Sequence, residues 1–387
     1  MITKLQFFFV TLRFINHSKK YNFMENQNEF LTNEQPKSYT LKFFGKGSEY
    51  FGIIIVNWLL TLITLGIYYP WARARKIKYM YGATAFNDDR FTFHGTGKQM
   101  FRGFVKVIIF WIILIGILIA AQYYATQERN LTIYLVLLLL YFVLFFAIIP
   151  LIYHGAYRYR MSRTTWRGIR FGYRGTKKEI YINFMKWLGL TIITFGIYGA
   201  WFEINLRKYL LGNVRFGDAK FSYKGTGSGL FLINLKLFGV VMLGFFPAII
   251  VGVIIALNSG LEEMNNFMPI IILFMYVPAL IYLFWYEKNI WNYYIDYIEL
   301  EKDEQKIQMK STVTGGGLFK LRTVNLLMTI FSLGLAYAWV EVRTRKYFTE
   351  NTHLKGDIDL DKITQTEEIY TDAMFEGAGD FFDIDIF

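Results

Sequence analysis

Four apolar runs dominate the chain, from Gly103 to Gln122, Leu131 to Tyr153, Gly229 to Leu257 and Phe267 to Tyr286. At 1.5 Å per residue, about 20 residues cross a hydrocarbon layer roughly 30 Å thick. A helix that is apolar on every face is at home only in lipid or in the centre of a large core. Composition agrees, with 54% hydrophobic and 19% aromatic residues, more than a water-facing domain carries. The expected fold is therefore mainly α, a polytopic membrane protein. No cysteine is present, which excludes disulfides and thiolate metal sites. The net charge of +12 lies in loops beside the apolar runs, where Lys and Arg orient a chain and meet anionic headgroups. No nucleic-acid-binding motif accompanies that charge, so nucleic acid is not an expected partner.

One block occurs three times, which implies internal repeats. It reads Thr61-Leu-Ile-Thr-Leu-Gly-Ile-Tyr-Tyr-Pro-Trp71, then Thr191-Ile-Ile-Thr-Phe-Gly-Ile-Tyr-Gly-Ala-Trp201, then Thr329-Ile-Phe-Ser-Leu-Gly-Leu-Ala-Tyr-Ala-Trp339. Basic residues follow, among them Arg73, Arg75, Arg207 and Arg345, and a tyrosine stands eight residues after each Trp, at Tyr79, Tyr209 and Tyr347. Aromatic alternation ending in Gly-Thr-Gly recurs at Phe91 to Gly97 and Phe221 to Gly227, with related segments at Leu41 to Gly47 and Phe171 to Lys177. Alternation closed by glycine is a strand-and-turn signal. These segments are expected to form short strands in basic cytoplasmic loops, with positive φ at the glycines.

The run from Phe43 to Phe51, with Asn57, Thr64 to Trp71 and Phe91 to Gly97, resembles the YjgN-like family of bacterial inner-membrane proteins. The similarity covers residues 39–349. It implies a multi-pass inner-membrane location and carries no catalytic residues. The expected organisation is a disordered segment over 1–38 with Met24 as a candidate start, repeat unit 1 over 39–153, unit 2 over 154–287, a partial unit 3 over 288–349 and an acidic tail over 350–387.

Two topologies compete. If the three blocks cross as well as the four strong runs, the basic loops 71–102 and 154–179, with seven and eight Lys and Arg, oppose 202–228 and 287–317, with five and four. If the blocks dip in and return, every long basic loop shares one side. The far side then keeps only 123–130, with Arg129, and 258–266, with Glu262 and Glu263 and no base. The second topology obeys the positive-inside tendency better.

The Trp, Arg and Tyr of the blocks are the candidate site residues, read as interfacial anchors or headgroup contacts. Glu203 with Arg207, and Glu341 with Arg345, have the spacing of helix-surface ion pairs. Lys106, Lys186, Lys236 and Arg322 begin or interrupt apolar segments near enough to an end to snorkel. His17, His94, His154 and His353 lack metal-ligand spacing, and no nucleophile elbow or phosphate-binding loop is present. No cofactor and no enzymatic activity are expected. The functional expectation is a transporter or channel for a small solute, with a scaffold or anionic-lipid-interacting protein as the alternative.

Overall fold

The computed structural model describes residues 38–366, so the expected disordered start, Met24, His17 and the far part of the acidic tail lie outside the described residues. Strand β1 (Ser38–Phe43) leads into α1 (Gly47–Ile63) and α2 (Tyr69–Ala83), which return to β2 (Thr84–Phe86). The same order recurs with β3 (Asp89–Phe93), α3 (Gly97–Thr126), α4 (Leu131–Ser162) and β4 (Thr164–Trp166). Next come β5 (Ile169–Tyr173), α5 (Lys177–Ile193), α6 (Gly199–Gly212) and β6 (Val214–Phe216). Then follow β7 (Ala219–Tyr223), the helical segment α7 (Gly227–Asp296) and β8 (Ile298–Lys302), and finally β9 (Gln305–Ser311), α8 (Gly315–Phe331), α9 (Tyr337–Glu350) and β10 (Thr352–Gly356). A straight helix with the length of α7 would extend about 100 Å. Instead α7 doubles back, since Tyr286 donates to Asn234 Oδ1 at 2.9 Å and Tyr293 to the Thr226 carbonyl at 2.6 Å.

Each strand pairs antiparallel with its sequence neighbours, and β1 pairs with β10, so the described strands close into one barrel. The short strand elements expected in the basic loops are thus parts of one closed antiparallel barrel. The strands β2, β4 and β6 have three residues each, too few for alternation to register. The longer strands flanking the first two blocks do not pair directly and join through such a short partner, as β1 to β2 and β2 to β3, whereas β9 and β10, which flank the third block, pair directly. Closure leaves no strand edge to manage. The interior is filled by side chains that include Trp166, Phe216, Phe221, Leu300, Ile307 and Leu354. Residues 357–366 cover the barrel end bearing the tight β-turns. Ile358, Leu360 and Ile363 are buried there, and Tyr39 donates to the Ile358 carbonyl at 3.1 Å.

At the other end stand five helical hairpins. Hairpins 1, 3 and 5 (α1–α2, α5–α6, α8–α9) are short, and hairpins 2 and 4 (α3–α4 and α7) are long. Among the described residues, three helical stretches are long and apolar enough to span a bilayer: Gly97–Thr126, Leu131–Ser162 and Gly227–Asn258. Because both ends of each hairpin join the same closed barrel, every hairpin must return to the side it left. A seven-crossing topology would place paired strands on opposite sides of the membrane.

Candidate functional site: hairpin tips and an adjoining cleft

The repeated block forms the tip of each short hairpin. At the first tip, Gly66 N–H donates to the Thr61 carbonyl (2.7 Å) and Leu65 N–H to that of Leu62 (3.1 Å), the bond pair of a Schellman helix end. Gly196 and Gly334 make the matching bonds to Thr191 and Thr329, both at 2.8 Å. Thr64 Oγ1 donates to the Leu60 carbonyl (2.7 Å) and accepts from Tyr68 N–H (3.0 Å). Thr194 does the same with Leu190 and Tyr198, and Ser332 accepts from Ala336 N–H. These bonds explain why a hydroxyl two residues before glycine recurs in the sequence. Two consecutive residues at each tip are left-handed, with φ of 48° and 91° at Leu65 and Gly66, 49° and 89° at Phe195 and Gly196, and 51° and 88° at Leu333 and Gly334. Left-handed backbone costs a side-chain-bearing residue roughly 1–2 kcal/mol. Yet Leu65, Phe195 and Leu333 are 91%, 98% and 93% exposed. In water such placement loses twice, whereas in acyl chains each side chain recovers about 1.5–3 kcal/mol.

The block tryptophans dock on glycines. A Cβ at Gly97 would lie 2.3 Å from Trp71 Cδ1, one at Gly227 2.3 Å from Trp201 Cδ1, and one at Gly47 2.2 Å from Trp339 Cδ1. The glycines of Gly-Thr-Gly are therefore needed for close approach. Contrary to expectation, none of Gly95, Gly97, Gly225 or Gly227 has positive φ. The tyrosines close each hairpin at its base. Tyr79 Oη accepts from Lys46 N–H (2.8 Å) and donates to its carbonyl (3.0 Å), Tyr209 does so with Thr176 (3.1 and 3.0 Å), and Tyr347 with Thr314 (3.4 Å for both). Burial pushes the Tyr209 phenol up to about 12. Two further tyrosines close the long hairpins, Tyr293 through both cap groups and Tyr159 through the carbonyl, the Thr96 N–H donating to Gln99 Oε1. Tyr293 bonds Thr226 N–H at 2.8 Å and its carbonyl at 2.6 Å, and Tyr159 donates to the Thr96 carbonyl at 3.4 Å. Sequence reasoning missed both, although all five stand five residues before a strand.

The basic candidates disperse. Arg75 is exposed, its guanidinium 5.7 Å from the Tyr68 ring centroid, Arg345 is partly exposed, and Arg207 stacks on Tyr294 at 3.8 Å. The carboxylates expected to pair along their own helices reach other elements. Glu203 accepts from the Tyr294 hydroxyl, and Glu341 takes Lys76. Arg322 pairs with Glu287 across hairpins 5 and 4, Lys106 and Lys186 are exposed, and Lys236 lies 5.7 Å from the Trp285 ring. His94 meets Thr165 Oγ1 at 2.9 Å and His353 meets Thr312 Oγ1 at 3.3 Å, while His154 is buried with its ring edge-on to Tyr173.

Of the candidates, Arg73 lines a cavity. It is a cleft of 690 Å³ between hairpin 1 and Tyr337 of α9, with Leu62 and Leu65 at the tip end and Arg73, Lys76, Asn57 and Tyr50 among its polar lining. Lys76 Nζ lies 2.6 Å from Glu341 Oε1, and Tyr50 donates to Glu341 Oε2 at 2.9 Å. Asn57 donates to the Ala72 carbonyl at 3.3 Å, while its buried Oδ1 has no partner.

The family described as "bacterial protein of unknown function (DUF898)" matches residues 38–381, which include every described residue of the barrel and hairpins. The chain belongs to this family. It is similar to "Inner membrane protein YjgN" of Salmonella typhimurium, 25% identical over 88% of this chain and 94% of that protein. It is likewise similar to "Inner membrane protein YjgN" of Escherichia coli K12, 23% identical over 86% of this chain and 92% of that protein. No solved structure matches the chain. With its candidate spans, the chain is thus a bacterial inner-membrane protein in contact with lipid.

Proposed function

We propose that this chain is a non-enzymatic inner-membrane protein that engages anionic lipid from one leaflet, built by repetition of a strand, helical hairpin, strand unit around the barrel. In this reading the two long hairpins cross the bilayer four times in all, the three short hairpins dip in and return, and the barrel faces the cytoplasm. The observation that carries it is the large apolar residue held in left-handed backbone at every short tip, more than nine-tenths exposed. Three independent positions accept the same strain for a side chain that only lipid rewards. One-sided charge supports the orientation, because the barrel-side loops hold most of the basic residues, whereas the far connectors hold Arg129 in 123–130 and no base in 258–266. Transport, the first expectation, loses its motivation. The barrel axis is packed with aromatic and aliphatic side chains, and the glycines that interrupt the apolar blocks belong to turns rather than to broken spans.

The test is spin-label electron resonance of the purified protein in vesicles, comparing phosphatidylglycerol with phosphatidylcholine in the motionally restricted shell. Enrichment of phosphatidylglycerol, weakened in a variant carrying Leu65→Asp, Phe195→Asp and Leu333→Asp, is expected. Equal partition of the two lipids would sink the reading.

A further inference from the structure

Every hairpin carries a cation at one distance from the barrel. Lys106, Lys186 and Lys236 are each the tenth residue of α3, α5 and α7, while Arg75 and Arg343 each stand nine residues before β2 and β10. Lys288, on the return limb of hairpin 4, stands ten residues before β8. At 1.5 Å per residue, all six lie roughly 15 Å along their helices from the barrel. Arg75, Lys106, Lys186 and Lys236 are exposed, and Lys288 and Arg343 are partly so.

These charges lack counter-charges. Arg75 and Lys236 lie over the Tyr68 and Trp285 rings and Arg343 donates to Met328 Sδ at 3.5 Å, but none of the six forms an ion pair among the described residues. Carboxylates do occur near this height. Glu203, Glu287 and Glu341 each stand eleven residues before a strand, and each is taken by the next hairpin around the ring. Glu203 accepts from Tyr294 of hairpin 4, Glu287 pairs with Arg322 of hairpin 5, and Glu341 pairs with Lys76 of hairpin 1.

Helix length points independently to the same height. The spans Gly97–Thr126 and Gly227–Asn258 have 30 and 32 residues, about 45 and 48 Å, far more than a hydrocarbon layer of roughly 30 Å requires. Counted from the cations instead, Lys106 to Thr126 and Lys236 to Asn258 rise about 30 and 33 Å. Beyond its starting lysine, neither stretch contains Asp, Glu, Lys or Arg. The short tips agree, since Phe195 follows Lys186 by nine residues, at most about 14 Å and short of the midplane. A lysine whose Cα lies at the hydrocarbon boundary lifts its ammonium to the headgroups.

We infer that these six cations form a belt that binds the phosphates of anionic phospholipids in one leaflet. The hydrocarbon boundary lies at the belt, and the barrel is held about 15 Å outside it by the first turns of the hairpins. This inference rests on the lipid-engaging reading above and names the side chains that supply its anion preference.

The experiment uses the full chain in vesicles of phosphatidylglycerol and phosphatidylcholine and has two arms. In the first, nitroxides attached through Lys98→Cys, Lys106→Cys and Ile112→Cys on α3 are compared for collision with oxygen and with a water-soluble nickel chelate. Nickel should dominate at 98 and oxygen at 112, with the change near 106. Oxygen dominance at 98 would set the barrel on the bilayer and overturn the proposal, as would nickel dominance at 112. In the second arm, the spin-labelled lipid comparison is repeated with two triple variants. Lys106→Gln, Lys186→Gln and Lys236→Gln together remove half of the belt, so roughly half of the phosphatidylglycerol excess should disappear, and arginine at the same positions should retain it. Lys98→Gln, Lys178→Gln and Lys355→Gln remove equal charge about 12 Å or more from the belt, beyond a Debye length of about 8 Å, and should leave the excess unchanged. All six of these lysines are exposed, so both variants should fold. Equal losses in the two variants, or none in the first, would overturn the belt. If the unmodified chain still prefers phosphatidylglycerol in that case, this inference falls alone; if it shows no preference, the lipid-engaging reading falls with it.

Discussion

Placing alanine at Gly47, Gly97 and Gly227 separates two opposite expectations. All three begin helices, where Gly→Ala ordinarily stabilises by about 0.4–1 kcal/mol through the unfolded state. The structure reverses the sign. An alanine Cβ at position 97 would sit 2.3 Å from Trp71 Cδ1 and 2.8 Å from Trp71 Cα, and the distances at Gly227 to Trp201 are the same, 2.3 and 2.8 Å. Carbon atoms rest at roughly 3.5–4.0 Å, so the helix start must move by about 1 Å, and overpacking of that kind costs roughly 1–3 kcal/mol. After subtracting the propensity gain, Gly97→Ala and Gly227→Ala should each destabilise by about 1–2 kcal/mol. Gly47 differs in an informative way, because its three nearest atoms, at 2.2 to 2.7 Å, all belong to the Trp339 ring. Trp339→Ala should therefore relieve Gly47→Ala completely in a double-mutant cycle, whereas Trp71→Ala should relieve Gly97→Ala only in part, the backbone Cα clash persisting. Thermal unfolding in one detergent, with Gly52→Ala as the uncrowded control having nothing within 4 Å, measures all of these. If Gly97→Ala proved as stable as Gly52→Ala, the docking of Trp on glycine would be refuted as the reason for the Gly-Thr-Gly motif.

Single cysteines at 65, 195 and 333, labelled with bimane, should all be quenched by brominated lipid, while a label at Asn87 on the barrel turns should be quenched by aqueous iodide; iodide quenching at the three tips would contradict lipid insertion. Tyr209→Phe and Tyr293→Phe should each lower unfolding stability by about 1–3 kcal/mol, because the hydroxyl satisfies both the N–H and the carbonyl of a helix cap. Tyr347→Phe should lose less, since its bonds are 3.4 Å long; equal losses at all three would argue against the hydroxyl bonds as the cause. Burial opposes ionisation of Asp218, but bonds from Lys302 and Thr364 outweigh it and hold its pKa below the ordinary 3.8. A depressed carboxylate stabilises fully above its unfolded value and loses that contribution as pH falls through its folded value. Protection of residues 358–364 against hydrogen exchange, taken relative to the intrinsic amide rate, should therefore fall as pH drops below the ordinary 3.8, and that loss should be absent in Asp218→Asn.

The parts of this fold that were legible in the sequence are those where one local geometry demands particular residues. The tip turn needs a hydroxyl, a left-handed residue and a glycine at fixed offsets, so hairpins 1, 3 and 5 announced themselves at Thr64, Thr194 and Ser332. Length and apolarity did the same for the long hairpins. The barrel was hidden because β2, β4 and β6 have three residues each and pair with strands that the alternation did reveal, so three of the ten described strands carried no readable period. Tyr159 and Tyr293 were hidden for a different reason. They perform the task of Tyr79 at the ends of long helices, where an aromatic residue beside an apolar run reads as an interface anchor. Arg73 was found with the wrong companions, since the block pairs it with Arg75 and Tyr79 in sequence, whereas the cleft sets it beside Asn57 on the preceding helix and beside Lys76, whose partner Glu341 stands far away in sequence. No spacing within one block could show that contact, because it exists only where the ring closes. Closure is also what makes the site singular. Hairpins 1, 3 and 5 share their tips, their tryptophan docking and their tyrosine closure, yet only hairpin 1 has a short neighbour in place of a spanning one on the side of its first helix. A chain of similar units gains a unique position from an odd count alone, and the cleft occupies that position.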